Sequence, residues 1–350
     1  MTTITAPKPT ADERLARPGL APRLLVRPEL GSLAGAIAIF IFFAVLSSTF
    51  RSIEGFANWL DPASLLGIMA VAIALLMIGG EFDLSAGVLT GTAGTVTTVL
   101  AAQYDWNIWA ALLVSLLIAV AVGFTNGYLV VKTRLPSFII TLGMFLMLQG
   151  LNLGITKIIT GGSVQVSGLA SAPGYPLAQA IFANPVTIGG QQFRIAILWW
   201  LVIVAVATWV LTRTQPGNWI FAVGGEANAS RSVGVPVAKT KIALFVTVAV
   251  SAWLVGNIAV IRLTVVQANM GIGEELTYIV AAVIGGCLLT GGYGSAIGAA
   301  LGALMFGMAQ KGIVFAGWDS DWYKFFLGVM LLIAVITNQY VRAYAATLRR

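Results

Sequence analysis

The chain has 350 residues, 58% hydrophobic and only 9% charged, against roughly 25% charged in a soluble domain. No water-soluble core could hide so much apolar side chain, so the excess must face lipid and one all-α integral membrane domain is expected. The absence of histidine and the single cysteine, Cys287, exclude histidine acid–base chemistry, a disulfide framework and a cysteine zinc site within one chain, and a cytoplasmic bias of Lys and Arg accounts for the net charge of +7 without nucleic acid.

Residues 1–29 are polar, with five basic residues and five prolines, and read as a loosely structured cytoplasmic tail. A cleaved signal peptide is not expected, because the basic region is long and the apolar run after it has full span length. About ten spans follow, filling residues 30–341. The first covers about Leu30–Ser48. The second, about Ala63–Gly80, is entered through Asp61-Pro62, with Pro62 in the first helical turn where its missing N–H costs nothing. Gly79–Ser85 breaks it, and Asp83 is placed to cap a third span, about Leu84–Ala102. The fourth covers about Ile108–Val131 and the fifth about Pro136–Thr156.

Residues 157–194, rich in Gly, Pro, Ser and Gln, read as a long non-helical segment on the outer face. A loop beyond about 12–15 residues is usually functional or disordered, and this one is a candidate docking surface. The sixth span covers about Ile195–Leu211, a polar stretch occupies 213–241, and the seventh covers about Ile242–Ile261. Leu276–Gln310 is uncharged for longer than a roughly 30 Å core requires, so it must break, and Thr290–Ser295 is the break between a short eighth and a short ninth span. The tenth covers about Phe325–Tyr340, before a tail at 342–350.

Ten spans put both termini on one side. With that side cytoplasmic, it carries fourteen of the 20 basic residues and six acids, leaving +8, while the outer face carries six bases and seven acids, leaving −1. The positive-inside rule therefore makes both termini and 213–241 cytoplasmic and 157–194 external. Ile78-Gly79-Gly80 and Ile284-Gly285-Gly286 echo each other, but such pairs also arise by chance in membrane helices, and chance is the reading adopted here.

No phosphate-binding loop, zinc motif, nucleophile elbow or dinucleotide fingerprint occurs, and no metal site or catalytic residue is expected. Every expected span lacks Asp, Glu, Lys and Arg, which argues against proton coupling. A powered transporter of this kind needs an ATPase in another chain.

Four ordered segments resemble the permease subunits of bacterial ABC importers for ribose, xylose and related monosaccharides: Gly80–Gly87 (GEFDLSAG), Asn126–Val130 with Leu135–Gly143, Ala222–Val235 (AVGGEANASRSVGV), and Ala281–Gly286 with Gly291–Ser295. Cys287 stands where the family usually has Thr, and Glu226 where Asn is common. The resemblance implies the ABC importer permease fold in the inner (plasma) membrane and a pore built by two permeases, as homodimer or heterodimer. It also implies an ABC ATPase holding ATP and Mg on the inner side and a periplasmic sugar-binding protein on the outer side. This chain itself would hold no cofactor.

It further implies a short cytoplasmic coupling helix, whose candidates are Gly225, Glu226, Ala227, Asn228, Ser230, Arg231, Val233 and Gly234. From the residues alone, a small-residue turn with Arg231 exposed can dock in a groove, whereas an ordinary solvated loop would look similar. Candidates for the translocation path are Phe82, Asp83, Asn126, Phe145, Gln149, Asn152 and Asn257: amides can bond sugar hydroxyls and rings can stack on sugar faces. Such residues in spans more often join neighbouring helices or pack. The competing function is a stand-alone secondary carrier or channel for a small polar solute; a membrane enzyme fits poorly.

Overall fold

A computed structural model describes the backbone of residues 28–347 and the side chains of residues 29–336. The expected N-terminal tail therefore lies outside the described residues up to 27, as do residues 348–350. Helices α1 (Pro28–Leu46), α2 (Ile53–Ile78), α3 (Ala86–Gln103), α4 (Ile108–Thr133) and α5 (Ser137–Thr160) come first. Residues 157–194 hold α6 (Tyr175–Phe182) and three short strands, β1 (Gln165–Ser167), β2 (Pro185–Ile188) and β3 (Gln191–Arg194). Next come α7 (Ala196–Arg213), α8 (Gln215–Gly225), α9 (Ala227–Ser232), α10 (Val237–Leu263) and β4 (Val265–Gln267), then α11 (Glu274–Ile284), α12 (Ala296–Phe315) and α13 (Trp322–Thr347). The expected tail at 342–350 is thus helical through Thr347.

Seven helices among the described residues are long and apolar enough to cross a membrane, and the chain is an all-α multi-pass membrane protein. The core is built around α2, α10 and α12, whose side chains are largely buried, while α1, α4, α5 and α7 expose most of theirs on the periphery. Exposed Leu, Ile, Val and Phe on those outer helices would be intolerable in water and are ordinary against lipid.

Several expectations need correction. The 26-residue α2 begins ten residues earlier than read, and Pro62 lies inside it, not in its first turn. Pro62 has no N–H for the Asn58 carbonyl one turn earlier, a loss that a membrane helix tolerates inside a packed bundle, and α2 continues through it. Asp61 pairs with Arg262 at 2.8 Å, tying the start of the buried part of α2 to the end of α10. At the opposite end Lys241, within α10 rather than in a loop, pairs with Glu81 just past α2. The two antiparallel core helices are therefore pinned at both ends.

The segment 157–194 is not without regular structure. Helix α5 runs to Thr160, α6 forms after Gly174, β2 and β3 make a hairpin around Gly189-Gly190, and β1 pairs antiparallel with β4 far along the chain. Tyr175 is buried and its hydroxyl donates to the Ile261 carbonyl at 2.7 Å, which seats α6 on α10, and burial raises its phenol above the ordinary value.

The glycine-pair echo is structural and not chance. Helix α2 ends with Gly80 N–H donating to Met77 O (2.9 Å) and Glu81 N–H to Leu76 O (3.1 Å). Helix α11 ends with Gly286 N–H donating to Val283 O (2.9 Å) and Cys287 N–H to Ala282 O (3.0 Å). Both are Schellman caps, with Gly80 at φ 82° and Gly286 at φ 92°. Each stops a helix and turns the chain into a short break followed by a Ser-started helix, α3 or α12.

The eighth expected span is a half-helix. Eleven residues rise about 16 Å, half of a roughly 30 Å core. One end of α11 lies level with the end of α2, where Gly292 N–H donates to Ile78 O at 2.9 Å. At its other end, the first turn of α3 at Gly87 lies against Gly271 and Glu275. Glu274 and Glu275, expected outside, open this half-helix; Glu275 is buried and accepts from Gly273 N–H at 3.0 Å. The 20-residue α12 is full length, not short.

Candidate functional site

The polar stretch between α7 and α10 folds as a helical hairpin, because its sequence supplies start and stop signals at close spacing. Thr214 starts α8: its hydroxyl accepts from Gly217 N–H at 3.4 Å, and Pro216 occupies the first turn. Glu226 stops α8 in an extended conformation and caps α9, its Oε1 accepting from Asn228 N–H at 3.2 Å. Ser230 Oγ then donates to Ala222 O at 2.7 Å, folding α9 back on α8. Gly234, at φ 87°, ends α9 and Pro236 begins α10.

This sorts the coupling candidates by exposure. Gly225, Glu226, Asn228, Arg231, Val233 and Gly234 are exposed, Ala227 is half-buried, and Ser230 alone is buried as the anchor. Val233 is 80% exposed, among the most exposed large apolar side chains of the chain, at the tip of a polar hairpin. Among the described residues, no ion pair holds Arg231.

The base of the hairpin is wedged into the two breaks. A Cβ on Gly224 would overlap the Ile78 carbonyl and lie 2.7 Å from the Gly292 amide. A Cβ on Gly291 would lie 2.7 Å from Gly224 O and 2.8 Å from Gly80 Cα. Backbone thus meets backbone at one point shared by α8, the end of α2 and the break between α11 and α12. A rigid shift of the hairpin has no side chain to absorb it here. The sequence reading missed Gly224 as a site; its signal was its place immediately before the coupling candidates.

Of the path candidates, the structure brings Phe82, Asp83 and Asn126 together around Ser85. Asp83 is buried, two residues before the helix-starting Ser85 rather than in the capping position itself, and its Oδ1 accepts from Ser85 N–H (2.8 Å) and Ser85 Oγ (2.6 Å). Asn126 Nδ2 donates to Ser85 Oγ at 2.9 Å, and the Phe82 amide donates to Ser137 Oγ at 3.0 Å. The break is thereby fastened to α4 and α5. Phe145 and Gln149 are half-buried on α5, while Asn152 is buried and donates to Thr92 Oγ1 of α3 at 3.1 Å. Asn257 is buried on α10 and donates to Trp253 O at 2.8 Å. Among the described residues, no hydrogen bond links Asn152 or Asn257 to the Ser85 cluster. Glu274 was not among the candidates, although its distance from Gly285 is too short for a span, which was the available signal.

A family of transport permeases, described as the permease component of the branched-chain amino acid transport system, matches residues 55–335. This chain belongs to that permease family. The ribose import permease RbsC of Escherichia coli (strain K12) is 32% identical over 311 residues, covering 89% of this chain and 93% of its own. The fructose import permease FrcC of Rhizobium meliloti is 27% identical over 310 residues, covering 89% of this chain and 84% of its own. The xylose transport permease XylH of Escherichia coli (strain K12) is 28% identical, covering 87% of this chain and 89% of its own. No solved structure matches. The family description mentions amino acids, while these three relatives are named for sugars.

Proposed function

We propose that this permease is one half of a pore that carries a monosaccharide, of the ribose, xylose or fructose kind, across the inner membrane into the cytoplasm, powered by an ABC ATPase that holds ATP and Mg. The observation that carries the reading is the exposed α9 tip joined through Gly224 to both helix breaks. The ATPase grips Gly225–Gly234, with Val233 as the apolar anchor and Glu226 and Arg231 as polar partners. Its closure pushes the hairpin against the ends of α2 and α11. The breaks shift together because Gly292 and Ile78 share a hydrogen bond.

On this reading both termini and the hairpin are cytoplasmic and about ten segments cross or enter the bilayer. A second permease, identical or related, completes the pore. A periplasmic sugar-binding protein docks on the outer segment, where the β2–β3 hairpin exposes Val186 and Ile188. Glu274, exposed at the start of α11, is the group we assign to sugar hydroxyls, which a carboxylate accepts. Phe82, Asp83 and Asn126 act on the path by holding the break in place.

The test is reconstitution in vesicles with the partner ATPase and the sugar-loaded binding protein. Uptake that needs ATP and all three proteins supports the reading. ATP-independent flux through vesicles containing this chain alone would instead make it a stand-alone carrier or channel.

A further inference from the structure

A cleft of about 900 Å³ lies between α7 and α10, floored by α2 and closed at one end by α8. Its walls include Val206, Val210, Trp219, Lys239, Ala243 and Val250. The lining is almost wholly apolar. Several of its polar groups are already used: Thr240 and Thr247 hydroxyls donate to Pro236 O and Ala243 O of their own helix at 3.0 and 2.8 Å, and Trp253 Nε1 donates to Leu112 O and Ser115 Oγ at 3.0 and 2.9 Å, which leaves Ser251, Trp219 and Lys239. Free hydrogen-bonding groups are few, and the charged one, Lys239, stands at one end, which suits an apolar chain with a charged head better than a hydroxylated cargo.

Val202, Val206 and Val250 are exposed, so the cleft opens sideways along the lipid-facing side. From Lys239 to Leu254 it follows fifteen residues of α10, about 22 Å of helix rise, enough for an acyl chain of one leaflet, whose hydrocarbon is about 15 Å deep. One end is cationic. Lys239 is exposed, and Arg213 lies one turn beyond the lining Val210; among the described residues neither is in an ion pair, the two pairs being Lys241–Glu81 and Arg262–Asp61. The Glu226 carboxylate, the acid of the adjacent hairpin, caps α9. Trp219 stands at the same end, the position an indole takes at a headgroup boundary.

We propose that this cleft binds an anionic phospholipid, its acyl chain along α7 and α10 and its phosphate at Lys239 and Arg213. The placement in the cytoplasmic leaflet rests on the orientation proposed above; the binding itself does not. A lipid wedged against α8 and the start of α10 would hold the coupling hairpin at the membrane surface, so lipid composition would tune how firmly that hairpin is presented.

The full chain, reconstituted in nanodiscs of equal phosphatidylglycerol and phosphatidylethanolamine and released into mild detergent, is examined by native mass spectrometry. Preferential retention of phosphatidylglycerol is expected. Lys239→Gln should lower that retention by about fivefold, the factor for one basic residue near an anionic surface, and Ala243→Phe, which fills the cleft from an exposed position, should lower retention of both lipids. Equal retention of the two lipids by the wild type, or unchanged retention in Lys239→Gln, overturns the proposal. So does a disulfide between two copies of Ala243→Cys in native membranes, which would put a second permease in the cleft; the buried Cys287 does not compete in that assay. None of these outcomes depends on whether the chain transports sugar.

Discussion

The amide of Gly292 donates to the carbonyl of Ile78 across 2.9 Å, joining the break after α11 to the last residue of α2. These residues lie more than two hundred positions apart, and the bond is between two main chains. It means that the two breaks at the hairpin end of the molecule move as one body unless that bond is given up. Gly224 fills the remaining space beside it.

Gly224→Ala is therefore expected to block transport at its mechanical step. The added methyl overlaps the Ile78 carbonyl, and backbone cannot swing aside as a long side chain can. Overpacking of this kind costs about 1–3 kcal/mol, which a large membrane core can survive. ATP-driven uptake should fall by about tenfold or more while the ATPase still co-purifies. Uptake at the wild-type rate would show that the junction is slack.

The Glu81–Lys241 pair should matter more to stability than Asp61–Arg262. The first pair's side chains are 8% and 19% exposed, the second's 20% and 31%. Removing one partner strands a charge, and the cost rises with burial, whereas exposed pairs contribute about 0–1 kcal/mol. Lys241→Met should lower the thermal midpoint in detergent more than Arg262→Met does. Restoring a pair with Glu81→Lys in Lys241→Glu should recover part of the loss; no recovery would mean that the contact is incidental.

Val233→Asp tests the hairpin tip. The side chain is 80% exposed and anchors nothing within the chain, so folding should not change. If it fills a pocket of the ATPase, the loss is that of an interface hot spot, about 2 kcal/mol or roughly thirtyfold in affinity. Glu226→Ala and Arg231→Ala should lower sugar-stimulated ATP hydrolysis to a smaller extent. A pull-down of the partner ATPase and its stimulated turnover are the readouts, and unchanged coupling in all three variants would remove the hairpin from the mechanism.

Tyr175→Phe tests whether the segment 157–194 is held by α10. The variant leaves the buried Ile261 carbonyl without its 2.7 Å donor, which costs about 1–3 kcal/mol. Proteolysis within 161–195 should become faster while ATPase binding stays intact. Equal protease resistance would place the anchoring in the β1–β4 pair instead.

The chain alone determined its class. The apolar runs dictated membrane helices because lipid leaves a backbone no alternative to internal hydrogen bonding. The helix limits were legible where they depend on one or two residues: the stop at Gly79-Gly80, the start at Pro136 and the break at Thr290–Ser295. Each is a local matter of φ, of a missing N–H, or of a side chain reaching its own backbone.

Only the tertiary structure decided what depends on distant partners. Pro62 looked like a helix start, yet tertiary packing carries α2 straight through it, with Asp61 held by Arg262. The segment 157–194 looked irregular because its order comes from β1 meeting β4 and Tyr175 reaching Ile261, pairings that no local pattern encodes. The glycine pairs looked accidental because their equivalence lies in hydrogen bonds, not in letters. The meeting of Gly224 with Ile78 and Gly292 was invisible for the deepest reason: glycine has no side chain to advertise a contact, and what makes it indispensable is the backbone that another part of the chain brings against it.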